Sequence, residues 1–195
     1  MGGEWAAWPH TSTFYIRGDG LSFVFALLSL FPQLASIFMV CASIAGIYYE
    51  RVIYFGTGIL LNEILNGIIK KVVRAARPSH PCPMARFKDF GMPSSHGQFS
   101  AYALTIYLCS HWELVLHHPM GLFRATIAAV AMVGVAVSRV YNCHHSVLQV
   151  AVGFALGVAC ALCVTYVEPV SRFRSELASN INVIFELLQK LFIAW

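Results

Sequence analysis

The segment Phe90–Phe99, FGMPSSHGQF, joins a polar, basic stretch to an apolar one and predicts the beginning of a helix. Pro93 suits the first helical turn, because its missing amide proton needs no partner there. Ser94 and Ser95 are natural N-cap residues, since their hydroxyl oxygens accept hydrogen bonds from first-turn amides. Such a helix start favours an anion, most often phosphate, and His96 could exchange a proton beside it. The alternative is a capped helix with an incidental histidine.

The composition around this segment is that of a polytopic membrane protein. Of the 195 residues, 58% are hydrophobic and only 11% are charged, and the mean hydropathy is +0.67. Soluble domains carry about 25% charged residues. We therefore predict an all-α transmembrane helix bundle whose surroundings are membrane lipids, and no nucleic-acid partner.

Apolar runs separated by polar turns predict about five spans. Pro32 divides the first run into an interfacial or tilted helix at 21–31 and a span at 33–49, and a tight turn is predicted at Glu50-Arg51. The other four spans are predicted at 52–73, 95–114, 122–137 (core) and 147–167. Gly153 and Gly157 in the last span are spaced for close helix packing.

The two ends of the chain differ from this membrane domain. Residues 1–20 are polar and aromatic, as suits the membrane interface. Residues 177–193 place apolar side chains at helical spacing, which predicts an amphipathic helix on the membrane surface or a sixth span. We therefore divide the chain into an interfacial segment (1–20), a membrane-embedded domain (21–170) and a C-terminal amphipathic helix (171–195).

One membrane face is predicted to be strongly cationic. Because helices alternate in direction, the ends of spans two and four and the starts of spans three and five share a face. Asp89 is the one carboxylate among these segments, and a magnesium site is therefore not expected. An anionic ligand fits this charge, whereas the alternative is a basic cytosolic face that follows the positive-inside rule. The seven cations are Lys70, Lys71, Arg74, Arg77, Arg86, Lys88 and Arg139.

The six cysteines indicate neither a metal site nor a disulfide framework. Four lie in apolar runs and are typical of small core residues. Cys82 and Cys143 fall in polar segments of the cationic face, where a disulfide is an option if that face is oxidising. The chain has no zinc-type cysteine and histidine spacing, and we expect no metal and no cofactor.

Lys70 and Arg77 are the first pair of candidate phosphate ligands. They are two helical turns apart, about 10 Å along the axis, so both lie on one face if the helix continues through them. Lys70 offers a point charge and Arg77 a planar fork that matches phosphate oxygens. The alternative is a pair of cations that extend to the membrane interface.

The segment Ser138–His145, SRVYNCHH, carries the other candidates. Arg139 is a second phosphate-binding fork. Of His144 and His145 only one is expected to face the site, because adjacent helical residues do not share a face. Gln149 follows His145 by four residues, so its amide oxygen could accept from one ring nitrogen and leave the other free as nucleophile or base.

Glu63 is the remaining candidate, because a carboxylate inside a span is costly unless it has a role. Glu63, Asn66 and Lys70 share one helix face. We interpret Glu63 and Asn66 as residues that support Lys70 or a neighbouring helix, and the alternative is a purely structural polar contact.

Together the three segments resemble the signature of the type 2 phosphatidic acid phosphatase (PAP2) superfamily. The matching residues are Lys70-x6-Arg77-Pro78, Pro93-Ser94-Ser95-His96 and Ser138-Arg139-x5-His145. Further stretches look like the dolichyldiphosphatases of the endoplasmic reticulum, and the match covers about residues 12 to 170. These stretches are Gly18-Asp19-x-Leu21-Ser22, Leu61-Asn62-Glu63, Phe90–His96 and Ser138–Tyr141.

The resemblance implies a role for each matched residue. His145 would be the nucleophile that forms a phosphohistidine, and His96 the acid that protonates the leaving oxygen and then the base for water. The phosphoryl oxygens would be held by Lys70, Arg77, Ser94, Arg139 and the backbone amide of Ser95. Gln149 stands where the superfamily usually has aspartate, as is expected of the dolichyldiphosphatase branch, and Gln149→Asp is expected to keep or raise activity.

The function implied by the resemblance is the metal-independent hydrolysis of dolichyl diphosphate to dolichyl phosphate and inorganic phosphate. This reaction recycles the lipid carrier of N-glycosylation. The resemblance places the active site on the lumenal side of the endoplasmic reticulum membrane, although the positive-inside rule favours the other orientation. Two alternatives stay open: a broader phosphatase for phosphatidate or undecaprenyl diphosphate, and a non-catalytic membrane protein that keeps the fold.

Overall fold

The computed structural model describes residues 4–8, 11, 13–45 and 49–193. These residues form helices and one short antiparallel hairpin, and the prediction of an all-α membrane bundle is confirmed. The hairpin consists of β1 (Trp5–Ala7) and β2 (Phe14–Ile16), and the sequence reasoning did not predict it. The helices are α1 (Gly20–Leu28), α2 (Phe31–Ile44), α3 (Tyr49–Val73), α4 (Ser95–Ser110), α5 (Trp112–His117), α6 (Pro119–Tyr141), α7 (Val147–Tyr166) and α8 (Glu168–Ile193).

Four helical stretches of the described chain are long and apolar enough to cross a membrane. They are Gly20–Ile44 (α1 with α2), Val52–Val73, Pro119–Tyr141 and Val147–Tyr166. The predicted third span is shorter than expected, because α4 ends at Ser110 and the chain turns at His111 into α5. With 16 residues, about 24 Å, α4 is the short central helix that packs against α3, α6 and α7.

The first run is divided near Pro32, as predicted, but two details differ. The break lies at Ser29-Leu30, and Pro32 is in the first turn of α2, where no amide proton is needed. The tight turn predicted at Glu50-Arg51 is wrong, because α3 begins at Tyr49 and includes both residues. The predicted end of the 33–49 span falls partly on residues 46–48, which are outside the described residues.

Helix α4 begins two residues later than the position of Pro93 suggested. Ser94 is the N-cap, its carbonyl accepts from the Gln98 amide at 2.9 Å, and its Oγ accepts from the Gly97 amide at 3.4 Å. Ser94 has the extended backbone of an N-cap, so Pro93 lies outside the helix. His96 is therefore the second helical residue, and the first-turn amides point towards the loops on that side.

Two glycines of α7 let α4 approach closely. A Cβ on Gly153 would lie 2.5 Å from the Ser94 carbonyl oxygen, and one on Gly157 would overlap the Gln98 carbonyl oxygen. The Ser94 amide also donates to the Gln149 carbonyl at 3.0 Å. The N-termini of α4 and α7 therefore lie side by side on one face of the bundle.

Helix α8 begins earlier than the predicted 177–193, and its first part packs against α3 and α7. Arg174 is 1% exposed, its guanidinium lies 3.7 Å from the Tyr54 ring centroid, and it donates twice to the Tyr54 carbonyl (3.0 and 3.1 Å). This buried cation contacts α3 near the helix end opposite to Lys70. The C-terminal helix is thus anchored in the bundle at its start.

We expect Gly157→Ala to destabilise the protein. The new methyl group would meet backbone atoms of α4 that cannot move independently, and such overpacking costs about 1–3 kcal/mol. For a chain of this size the melting temperature in detergent should fall by about 5 °C. Gly67→Ala is the matched control, because nothing lies within 4 Å of its added Cβ. Equal melting temperatures for the two variants would show that α4 and α7 do not depend on this contact.

Candidate active site

The three motif segments meet where the N-termini of α4 and α7 lie side by side. The loop after α3 brings Arg77 to His145, with Arg77 Nη1 2.8 Å from His145 Nε2. The α6–α7 loop is held to the end of α6, since the Arg139 carbonyl accepts from the amides of His144 (2.9 Å) and His145 (3.0 Å). The structure thus brings together residues that are up to 75 positions apart in sequence. They are Lys70, Arg77, Ser94, Arg139 and His145.

The hydrogen bonds of His145 define which ring nitrogen is free. Nδ1 lies 2.9 Å from the Gly91 carbonyl oxygen and 3.2 Å from Gln149 Oε1, and both of these atoms are acceptors. Nδ1 must therefore carry the proton, and Nε2 presents its lone pair to the N–H of Arg77. Sequence reasoning identified Gln149 but missed Gly91, whose added Cβ would lie 2.5 Å from the Gln149 side chain.

Burial and nearby cations keep His145 neutral. The side chain is buried, with 2% exposure. Burial, together with the positive charges of Arg77 and Arg139, lowers the pKa of His145 to about 3. Neutral imidazole with a free Nε2 is the form that acts as a nucleophile.

Gln149 belongs to the N-terminal capping box of α7. The side-chain nitrogen Nε2 of Gln149 donates to the Ala76 carbonyl at 2.7 Å. The side-chain oxygen Oε1 also accepts from the backbone amide of Ser146 at 3.2 Å. The Ser146 hydroxyl accepts in return from the backbone amide of Gln149. The Gln149 side chain therefore connects the loop after α3, the α6–α7 loop and His145.

Asp89 is bound to two of the candidate phosphate ligands. Its Oδ2 accepts from Lys70 Nζ at 3.0 Å and from Arg77 Nη2 at 2.6 Å. Partial burial by itself raises the pKa of Asp89, but the hydrogen bonds from Arg77 and Lys70 outweigh it and lower the pKa to about 2. Sequence reasoning noted Asp89 only as the one acid of a cationic face. The carboxylate occupies a position where two cations converge on an anion.

Arg139 is a buried guanidinium with unused hydrogen-bonding capacity. It is 6% exposed, and its Nε has no hydrogen-bond partner among the described residues. Arg77 Nε is likewise buried without a partner, while the Arg77 guanidinium lies 4.8 Å from the Phe87 ring centroid. Unsatisfied N–H groups of this kind are costly unless a ligand accepts from them. The unpaired Nε atoms of both arginines therefore indicate a site that binds an anion.

His96 is oriented by the end of α1. Its Nε2 lies 3.0 Å from the Ser29 carbonyl oxygen, so Nε2 carries a proton and Nδ1 is the nitrogen left for proton transfer. Ser95 is the first residue of α4, and its amide is among the first-turn donors. A cavity of about 350 Å³ lies beside His96, and Glu63 lines it together with apolar residues of α2, α3 and α4.

Asn66 connects α3 to α4 and not to Lys70. Its Nδ2 donates to Gln98 Oε1 at 2.6 Å and approaches the Pro93 carbonyl at 3.4 Å. Gln98 Nε2 donates in turn to the side chain of Asn62 at 2.7 Å. This buried amide network fixes the start of α4, which carries His96. Sequence reasoning missed Gln98, although an amide residue inside a predicted span, one helical turn after the N-cap, was a usable signal.

The hairpin packs its aromatic side chains behind the α6–α7 loop. The His144 ring contacts Phe14, His80 and Phe87 (centroids 5.8, 5.2 and 5.7 Å), so His145 and not His144 faces Arg77. His80 Nε2 bonds the Asn142 carbonyl at 2.9 Å, and its Nδ1 accepts from the Cys82 amide at 3.0 Å. His144 thus has a packing role next to the nucleophile.

The motif Gly18-Asp19-x-Leu21-Ser22 ties α1 to the same loop. Ser22 Oγ donates to Asn142 Oδ1 at 2.8 Å, and Asn142 Nδ2 donates to the Ser22 carbonyl at 3.1 Å. Tyr141 donates to Asp19 Oδ2 at 2.9 Å, while Asp19 Oδ1 caps α1. These residues position the loop that carries His145.

All six cysteines are free thiols, so Cys82 and Cys143 do not form the disulfide that the sequence left open. Cys82 is buried, and Cys143 has a positive φ of 57°. In the described part of the chain, no three His, Cys, Asp or Glu side chains form a group that could hold a metal ion.

The contacts of Gln149 change the expectation for its variants. An aspartate is shorter and has no N–H, so it would leave the Ala76 carbonyl without its donor. We now expect both Gln149→Asp and Gln149→Ala to lower phosphate release by about tenfold or more, with a smaller loss for Gln149→Glu, which keeps the length. Steady-state kinetics on purified variants measures this. Undiminished turnover by Gln149→Asp would show that the Ala76 contact is dispensable.

The low pKa of His145 predicts a pH-dependent contribution to stability. The unfolded imidazole binds a proton below pH of about 6.5, whereas the folded one resists protonation down to about 3. Stability from this group is therefore full above pH 6.5 and is lost as the pH falls, by about 1.4 kcal/mol per pH unit. The difference in melting temperature between wild type and His145→Gln should shrink from pH 7 to pH 5. A constant difference would contradict the low pKa.

Comparison with known proteins places the chain in a family. The PAP2 superfamily profile matches residues 51–172. Dolichyldiphosphatase of Saccharomyces cerevisiae is 32% identical over 156 residues, which cover 75% of this chain and 64% of the yeast protein. Human dolichyldiphosphatase 1 is 32% identical over 169 residues, 79% of this chain and 68% of the human protein. The chain thus spans about two thirds of the length of these relatives.

A solved structure has the same fold. The crystal structure of a transmembrane PAP2 type phosphatidylglycerolphosphate phosphatase from Bacillus subtilis superposes with a TM-score of 0.60 at 23% identity. The superposition covers 79% of each chain. The helix arrangement derived above is therefore that of a known membrane phosphatase fold. By sequence profile, by relatives and by fold, this multi-pass membrane protein belongs to the PAP2 superfamily.

Proposed function

We propose that this protein is a membrane enzyme that hydrolyses dolichyl diphosphate, or a closely similar polyprenyl diphosphate, to the lipid monophosphate and inorganic phosphate. The observation that carries the proposal is the neutral His145, whose Nε2 lone pair faces Arg77, together with Arg139, whose buried Nε has no hydrogen-bond partner among the described residues. A nucleophile next to buried, fixed positive charge is what phosphoryl transfer requires.

The cations and helix ends would hold the phosphoryl group. Lys70, Arg77 and Arg139 supply positive charge for the equatorial oxygens, and the Ser94 hydroxyl and the first-turn amide of Ser95 would donate to them at the positive end of the α4 dipole. His145 Nε2 would attack phosphorus as the bond to the bridging oxygen of the diphosphate breaks, which leaves a phosphohistidine. The Gly91 carbonyl and Gln149 Oε1 accept hydrogen bonds from Nδ1–H and stabilise the positive charge that develops on the ring.

His96 would serve the leaving group and then the water. The Ser29 carbonyl accepts from Nε2–H, so His96 would act as an imidazolium beside the bound diphosphate, and its Nδ1–H would give a proton to the oxygen of the departing lipid phosphate. The same Nδ1, once deprotonated, would take a proton from the water that cleaves the phosphohistidine. This sequence returns both histidines to their starting states.

The polyprenyl tail would lie among the helices. The lining of the cavity beside His96 includes Pro32, Ile37, Ile59 and Phe99, so the leaving-group side of the site borders apolar surface. Glu63 lies in the same cavity and would meet the polar end of the tail or a hydrogen-bonding group near it. The membrane-embedded part at 21–170 would then carry all the residues that act on the substrate, with residues 1–20 and 171–195 as its flanks.

The choice of dolichyl diphosphate rests on the named relatives and on the matched motifs. A dolichyldiphosphatase of the endoplasmic reticulum, with its site on the lumenal side, would return the carrier used in N-glycosylation. One observation favours a second candidate: the structural neighbour acts on phosphatidylglycerolphosphate. A phosphatase for glycerolipid phosphates is therefore the alternative.

The test is phosphate release by the purified protein in detergent. We expect hydrolysis of dolichyl diphosphate in the presence of a chelator, and slower hydrolysis of phosphatidate and phosphatidylglycerolphosphate. His145→Ala should lower kcat by at least about a thousandfold and His96→Ala by about 10²–10⁴-fold. His117→Ala, an exposed histidine on α5, is the control and should keep wild-type turnover.

Three results would argue against this function. Faster hydrolysis of a glycerolipid phosphate would favour the alternative substrate class. Activity that survives His145→Ala would exclude His145 as the nucleophile. A strict requirement for magnesium would exclude the mechanism in which Lys70, Arg77 and Arg139 supply the positive charge.

A further inference from the structure

Asp89 is the residue of this site that the proposed mechanism does not use. The side chains of Lys70 and Arg77 that bind it are 12% and 11% exposed, whereas the Asp89 side chain is 52% exposed. The carboxylate therefore lies on the solvent side of the two cations. A single oxygen, Oδ2, accepts from both of them.

This contact also reaches the nucleophile through Arg77. The guanidinium donates to Asp89 through Nη2 and to His145 Nε2 and the His144 carbonyl through Nη1. An attacking nitrogen needs its lone pair directed at phosphorus at about 3–3.5 Å. While Arg77 is held by Asp89, that lone pair points at an N–H group. A productive complex therefore requires that Arg77 leave either Asp89 or its present place at His145.

We propose that Asp89 is an internal competitor of phosphate: its carboxylate takes the anion position on Lys70 and Arg77 before substrate binds and returns to it to expel the product phosphate. The inference rests on the proposed function. A carboxylate and a phosphoryl group present the same kind of oxygen acceptor to Lys and Arg donors, so the two exclude each other. The pKa of Asp89 is low enough for the carboxylate to stay ionised at neutral pH.

Competition by Asp89 would help the site to release inorganic phosphate after hydrolysis. Buried cations that bind a transferred phosphoryl group also bind inorganic phosphate, which would stay in the site after hydrolysis. An attached carboxylate is present at a high effective concentration and can rebind as soon as phosphate loosens. The lipid diphosphate can still displace Asp89, because its tail and its second phosphate make additional contacts. Free phosphate has neither group.

A positioning role for Asp89 makes the opposite prediction from a competing role. If Asp89 only positioned Lys70 and Arg77, its removal would leave the two cations less ordered and weaken phosphate binding. If it competes with phosphate, its removal should tighten phosphate binding. The sign of the change therefore distinguishes the two roles.

The experiment measures binding of orthophosphate to the full chain in detergent, by thermal shift, for wild type, Asp89→Asn and Asp89→Ala. We expect both variants to bind orthophosphate about tenfold or more tightly, the range expected for the loss of a charged hydrogen-bonded competitor. Asp89→Glu, which keeps the charge, should stay within about threefold of wild type. Glu4→Gln is the matched control, because it removes an exposed carboxylate that binds Arg17 and not the site cations.

A kinetic arm uses farnesyl diphosphate as a short polyprenyl diphosphate. Orthophosphate should inhibit Asp89→Asn at about a tenth of the concentration that inhibits wild type, and KM should fall in the same variant. Unchanged or weaker orthophosphate binding by both Asp89→Asn and Asp89→Ala overturns the inference. Because the binding arm needs no turnover, this failure is distinct from failure of the proposed function, which would show as wild type that hydrolyses no polyprenyl diphosphate.

Discussion

The close contact between α4 and α7 is the constraint on which the site depends. Gly153 and Gly157 remove the side chains that would separate the two helices, and the Ser94 amide can then donate to the Gln149 carbonyl. Two positive helix ends lie together as a result, and like ends repel each other unless an anion lies near them. The same contact brings His96, on α4, to the helix whose capping box holds His145. Helix packing, anion binding and nucleophile orientation therefore follow from one pair of small residues.

Much of this arrangement could be predicted from the sequence, because the relevant signals are local. Apolar runs mark most of the spans, and alternation of helix direction then places the three motif segments on one face. Ser94 as a cap and Gln149 beside His145 follow from spacing of three or four residues. The errors are local too: Pro93 precedes the cap, and α4 ends at Ser110. Proline and apolar content allow several helix boundaries, and only packing against neighbouring helices selects one.

The contacts that sequence reasoning missed join distant parts of the chain. Asp89 meets Lys70 across 19 residues, Gly91 meets His145 across 54, and Ser22 meets Asn142 across 120. No periodicity links such positions, and a carbonyl such as that of Gly91 has no signature in the residue type. His144 packs against Phe14 of the hairpin and Phe87 of the α3–α4 loop, and the aromatic character of residues 1–20 indicated only a membrane interface. The three-dimensional structure is therefore needed to show how these contacts position His145.

The neutral partner of His145 follows from the charge around it. Burial and the charges of Arg77 and Arg139 disfavour the imidazolium, so the nucleophile stays unprotonated without help from a buried carboxylate. An aspartate at position 149 would favour the imidazolium and would also compete for the arginines that phosphate needs. Gln149 orients the ring through the same kind of oxygen acceptor and adds no charge. The negative charge of this site is instead carried by Asp89 at the solvent side, where a ligand can displace it.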